Sequence, residues 1–77
     1  MNKDSITTQE LLVYLKQNPF RETECRLLLG HRIGSTHYWY WDTDAHCFMH
    51  TRDWPFSSIR EYEIMLWYSD CRWKIDQ

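Results

Sequence analysis

The chain has 77 residues, 43% hydrophobic and 17% aromatic, with five Trp and five Tyr. That length accommodates one domain, residues 1–77, which at this size buries only about 60% of its unfolded surface, and the apolar content excludes disorder by composition. A formal charge of −2 supplies no field for nucleic acid or an anionic membrane, and the longest apolar runs, 11–15 and 64–68, fall far short of the roughly 20 residues of a spanning helix.

The first element is a helix. Thr7-Thr8-Gln9-Glu10 reads as a capping box: the Thr7 hydroxyl can accept the Glu10 backbone N–H while the Glu10 carboxylate reaches back to the cap. Ile6 and Leu11 suit a hydrophobic staple, and Leu11, Leu12 and Leu15 share one helical face. Asn18-Pro19 stops the element, because Pro disfavours α conformation before it and Asn tolerates a left-handed cap. The helix is expected over residues 8–17.

From Glu24 the period becomes two. Cys25, Leu27 and Leu29 alternate with Arg26, Leu28 and Gly30, and Gly34-Ser35 predicts a two-residue hairpin turn. The run His37-Tyr38-Trp39-Tyr40-Trp41 favours a strand, residues 42–45 carry turn chemistry, and residues 46–51 return as a third strand. Residues 60–76 admit two readings. Ser58-x-x-Glu61 is a second possible capping box, with Ile59, Tyr62, Met65 and Leu66 on one face of a second helix at 59–69. Alternatively a turn at Ser69-Asp70 puts Tyr62, Ile64, Leu66, Tyr68, Cys71, Trp73 and Ile75 on one face of a hairpin. The strand reading is preferred. The expected fold is α+β, one N-terminal helix packed on an antiparallel sheet of about five strands: 24–32, 36–42, 46–52, 60–68 and 71–76.

Pairing through those turns sets Trp41 opposite His46, Trp39 opposite Phe48 and His37 opposite His50, on a face shared with Arg26, Leu28 and Arg32. The other face, with Cys25, Leu27, Leu29, Tyr38, Tyr40, Cys47 and Met49, is the more uniformly apolar and is assigned to the core. Ten helical residues span roughly 15 Å and cover only part of one side of such a sheet. The candidate partner-binding set is therefore Trp39, Trp41 and Phe48 with Arg26, Arg32, His37, His46 and His50, since exposed aromatic patches mark interaction sites. The competing reading packs these rings under the 53–57 loop or within a homodimer, where they serve stability alone.

No catalytic motif accompanies them. His31, His37, His46 and His50 with three Cys invite zinc, but no Cys-x-x-Cys is present and His46-Cys47-x-x-His50 lacks a second half, so neither metal nor cofactor is expected. Cys47 and the two histidines fall on opposite strand faces, which argues against a nucleophilic dyad and against an enzyme. An odd set of three cysteines and a polar Met1–Ser5 segment fit a cytoplasmic protein, with no membrane as partner. The functional expectation is a protein-binding module, of the inhibitor or accessory kind that a phage or other mobile element encodes. The rival is a single-stranded nucleic-acid-binding domain stacking bases on the same rings, against which the acidic Asp42, Asp44 and Asp53 weigh.

Overall fold

Thr7 caps the first helix as its sequence dictates: its hydroxyl accepts the Glu10 N–H at 3.1 Å, and its own N–H donates to Glu10 Oε1 at 3.0 Å. In the computed structural model, which describes residues 5–30 and 32–76, this helix, α1, is Thr8–Gln17. It buries Leu11, Leu12 and Leu15, the stripe its spacing predicts. Asn18 is the C-cap, but its backbone is not left-handed; that conformation falls to Phe20, whose φ is 62° and whose N–H donates to the Trp41 carbonyl at 2.9 Å.

The strands are β1 (Ile6–Thr7), β2 (Thr23–Leu29), β3 (Arg32–Asp42), β4 (Cys47–Thr51), β5 (Ser57–Ile59) and β6 (Arg72–Asp76). They form one sheet in the order β1-β6-β2-β3-β4-β5, with every pair antiparallel. The class is α+β, with the N-terminal helix on an antiparallel sheet. Residues 60–68, however, are not a strand. Glu61–Tyr68 form a second helix, α2, close to the alternative at 59–69, and Glu63 Oε1 accepts the Arg60 N–H at 3.1 Å to start it. Ser58 takes no part in that cap because it pairs with Met49 in β5. The last strand exists as expected, yet its partners are β1 and β2.

The first hairpin turns four residues earlier than Gly34-Ser35. Leu29 pairs with Arg32, and Gly30 between them supplies the positive φ, 64°, that a tight hairpin turn needs; His31 lies outside the described residues. Gly34 and Ser35 sit instead within β3 at a bulge. Leu28 pairs with Ile33 and Arg26 with Thr36, so Leu27 alone stands against both. A Cβ on Gly34 would lie 3.2 Å from the Leu27 carbonyl oxygen, which accounts for glycine there.

That extra residue decides the sheet's two faces. Beyond the bulge Thr23 pairs with Trp39 and Cys25 with His37, so the apolar set of β2 and the ring set of β3 share one side. An unbulged ladder from the same turn would set them on opposite sides. Both helices cover this shared side. Leu11, Leu12 and Leu15 of α1 and Ile64 of α2 join Cys25, Leu27, Trp39, Phe48, Ile59 and Trp73 in one core. Thr8, fully buried, ties the layers together: its hydroxyl accepts the Trp73 indole N–H at 2.8 Å and donates to the Tyr68 carbonyl at 2.5 Å.

Candidate functional site

The rings expected on an open face are largely inside the protein. Trp39 and Phe48 are fully buried and His37 is 1% exposed, under the two helices. The error is one of parity: the core side is the face carrying Trp39, because the bulge brings Cys25 and Leu27 onto it. Trp41 is half-buried against Phe48, ring centroids 4.7 Å apart, with the Lys16 ammonium 5.2 Å above its centroid. The β3–β4 register is also two residues off the expected one. Trp41 faces Phe48 and Trp39 faces His50, leaving His46 outside the ladder as an exposed turn residue with φ 52°. Arg26 lies on the opposite side of the sheet in an ion pair with Asp76 at 2.9 Å, and Arg32 is exposed beside the hairpin turn. The eight residues therefore form no common surface.

His37 and His50 do meet. His37 Nδ1 lies 2.8 Å from His50 Nε2, and its Nε2 lies 2.9 Å from the Ser35 hydroxyl. The rings of Trp39, Tyr68 and Trp73 surround His37. Burial foremost, then His50 and the Arg52 charge, lower the His37 pKa to about 4; burial and Arg52 lower that of His50 to about 4. Both imidazoles are neutral near pH 7, joined by one shared proton donor. Burial pushes the Cys25 thiol up to about 12, so it carries no thiolate. All three cysteines are free. Among the described residues no group of three or more His, Cys, Asp or Glu side chains converges as metal ligands would.

The side of the sheet away from the helices carries the rings that sequence reasoning sent to the core. Tyr40 on β3 points there, and two loops bring rings to it. Phe20, from the turn after α1, lies 6.3 Å from Tyr40; Phe56, from the loop after β4, lies 5.3 Å from it, and Trp54 stands 5.7 Å from Phe56 at 90°. Phe20–Tyr40–Phe56–Trp54 is thus a continuous row, with Trp54 81% and Phe20 52% exposed. Tyr38 lies on the same side, where the Glu24 carboxylate accepts its hydroxyl proton and holds its pKa above the ordinary value. A shallow hollow of about 210 Å³ opens between Tyr38, Trp54 and Phe56. The Thr51 hydroxyl donates to the Asp53 carbonyl beneath it and fastens the loop. The Trp54–Pro55 bond is cis. The one sequence signal for this row was Trp54-Pro55-Phe56, two rings flanking a proline in a loop.

A second apolar surface belongs to α2. Tyr62, Leu66 and Trp67 are exposed on its outer side while Ile64 is buried on its inner side, so the helix is apolar nearly all round. Comparison with protein-family models, curated proteins and solved structures returns no match.

Proposed function

We propose that this domain is a non-enzymatic protein-binding module that docks its partner on the helix-free side of its sheet. The observation that carries the reading is the row Phe20–Tyr40–Phe56–Trp54: four rings in succession, the first pair tilted and the other two edge to face, two of the rings more than half exposed, on a side no helix covers. Monomers rarely leave such a patch open without a use, and Trp and Tyr are the residues interfaces favour. Within that class, an inhibitor or accessory factor of a mobile element suits a small domain that offers an aromatic surface. Three free cysteines, two of them buried, support a cytoplasmic setting.

The nucleic-acid reading keeps some support from the same rings, but Glu22, Glu24, Asp42 and Asp76 stand on or beside them and oppose phosphate. The test compares quantitative partner capture by the native protein with capture by Phe20→Ser and Trp54→Ala. Both positions are exposed, so circular dichroism and Tm stay as in the native domain while capture drops at least tenfold. Capture retained by both variants but lost in Tyr62→Ser with Leu66→Ser would move the docking surface to α2 and overturn the proposal.

A further inference from the structure

The outer side of α2 is an apolar surface that docking on the helix-free side leaves unused. At about 3.6 residues per turn, Tyr62, Leu66 and, in the turn that ends the helix, Asp70 follow one another at i, i+4 spacing, away from the fully buried Ile64. Tyr62 is 69%, Leu66 76% and Trp67 59% exposed. A helix that is apolar nearly all round belongs in a site that covers it on every side, and a single copy of the chain covers α2 on one.

The exposed area matches a contact between two copies. An aromatic side chain has roughly 150–250 Å² to bury, so Tyr62, Trp67 and Leu66 together present roughly 400 Å² per chain. Two such patches face to face, with Met65 and Ser69 at their edges, bury about 1,000 Å² in total, the area at which specific interfaces begin and well below that of obligate dimers. The contact is weak and reversible on that arithmetic.

Charge selects the arrangement. Arg60 precedes the stripe and Asp70 ends it, both exposed and equally spaced in sequence from Met65. An antiparallel pairing about a two-fold axis beside Met65 sets Arg60 of each chain next to Asp70 of the other and brings the two Leu66 side chains together between the two Tyr62 rings. The same orientation opposes the two helix dipoles. A parallel pairing would set Arg60 against Arg60 and Asp70 against Asp70. The remaining acids of α2 are engaged within their own chain: Glu61 pairs with Lys16 at 2.6 Å, and Glu63 Oε1 accepts the Arg60 N–H at 3.1 Å.

We propose that the outer side of α2 is a self-association surface, through which two copies of this chain form an antiparallel two-fold dimer. Because α2 lies on the helix-covered side of the sheet, both chains keep the Phe20–Tyr40–Phe56–Trp54 row facing outward, and the proposal is independent of what docks there.

Sedimentation equilibrium from about 1 μM to about 1 mM is expected to take the native domain from monomer mass to twice that mass, with a Kd on the order of 10–100 μM. Leu66→Glu, at an exposed position, keeps the native circular dichroism and stays monomeric throughout. Arg60→Glu and Asp70→Arg each weaken association about tenfold, since each reversal touches two symmetry-related pairs, and the two together restore it. Phe20→Ser and Trp54→Ala leave it unchanged. A native domain that remains monomeric to about 1 mM overturns the proposal and leaves the stripe to a different protein. Dimerisation that survives Leu66→Glu, or is lost in Phe20→Ser, moves the contact off α2 and overturns it as well. Single reversals without effect, or a double reversal that restores nothing, overturn the antiparallel arrangement.

Discussion

Acidification probes the buried imidazole pair directly. His37, buried among three aromatic rings, has its pKa lowered from 6.5 to about 4 chiefly by burial, with His50 and Arg52 adding to the effect. In the unfolded chain the same ring protonates near 6.5. The unfolded state therefore binds more protons in the window between 6.5 and about 4. Stability is complete above pH 6.5, falls as the pH drops through that window, and levels off below it for this group. At about 1.4 kcal/mol per unit, His37 alone costs about 2 kcal/mol at pH 5 and about 3 kcal/mol at pH 4. His50, partly exposed, adds a smaller amount in the same direction. For a domain of this size a 2 kcal/mol loss lowers Tm by roughly 10 °C. The assay is thermal unfolding followed by tryptophan fluorescence between pH 7.5 and 4.5, with His37→Gln plus His50→Gln as the control that removes the slope while leaving the carboxylates to titrate. A native Tm that holds steady over that range, or a control with the same acid slope as the native protein, would refute the reasoning.

Four further outcomes follow from the packing. Trp39→Ala removes a fully buried ring and is expected to cost about 3–5 kcal/mol in urea unfolding. Trp39→Phe should cost clearly less, since the indole Nε1 it removes has no hydrogen-bond partner among the described residues. Thr8→Val strands the Trp73 N–H, while the Tyr68 carbonyl keeps the Cys71 N–H, at about 1–3 kcal/mol in the same assay, and Thr8→Ser recovers most of the loss. Under native conditions a thiol reagent should modify the partly exposed Cys71 first, with Cys25 and Cys47 reacting only on unfolding.

The first helix was legible to the residue because its determinants are local: a capping box, a three-leucine stripe and a stop at Asn18-Pro19 all lie within a dozen positions. The β3–β4 hairpin was legible as an element, but its register was not, since Asp42 pairs with Cys47 while its Oδ1 accepts the N–H groups of Asp44 and Ala45, and the four-residue turn moves one position on, to residues 43–46. Residues 61–68 defeated the pattern because Glu-Tyr-Glu-Ile-Met-Leu-Trp-Tyr gives a clean apolar strand face in Tyr62, Ile64, Leu66 and Tyr68, whereas as a helix its apolar residues spread nearly all round and leave no stripe for the helical period to show. What decides it is tertiary: Ile64 has a place against α1, and Trp73 has strands on both sides. The strand rings were misplaced by parity. Both alternating sets, Cys25/Leu27 and Trp39/Phe48, were apolar enough to be core, and a regular ladder forced a choice between them; one extra residue at Gly34-Ser35 lets both be core and turns Tyr38 and Tyr40 outward. Rings supplied by loops, such as Phe20 and Phe56, carry no period and were invisible to that reasoning.

The position of β6 bears on how a nascent chain acquires this fold. The strand made last lies between the strand made first and β2, and its Trp73 fills the centre of the core. Until β6 is placed, the slot between β1 and β2 stays empty, and the leucines of α1 can close on Trp39 but not on Trp73. The sheet is therefore continuous only once β6 has joined β1 to β2, a pairing of residues far apart in the chain.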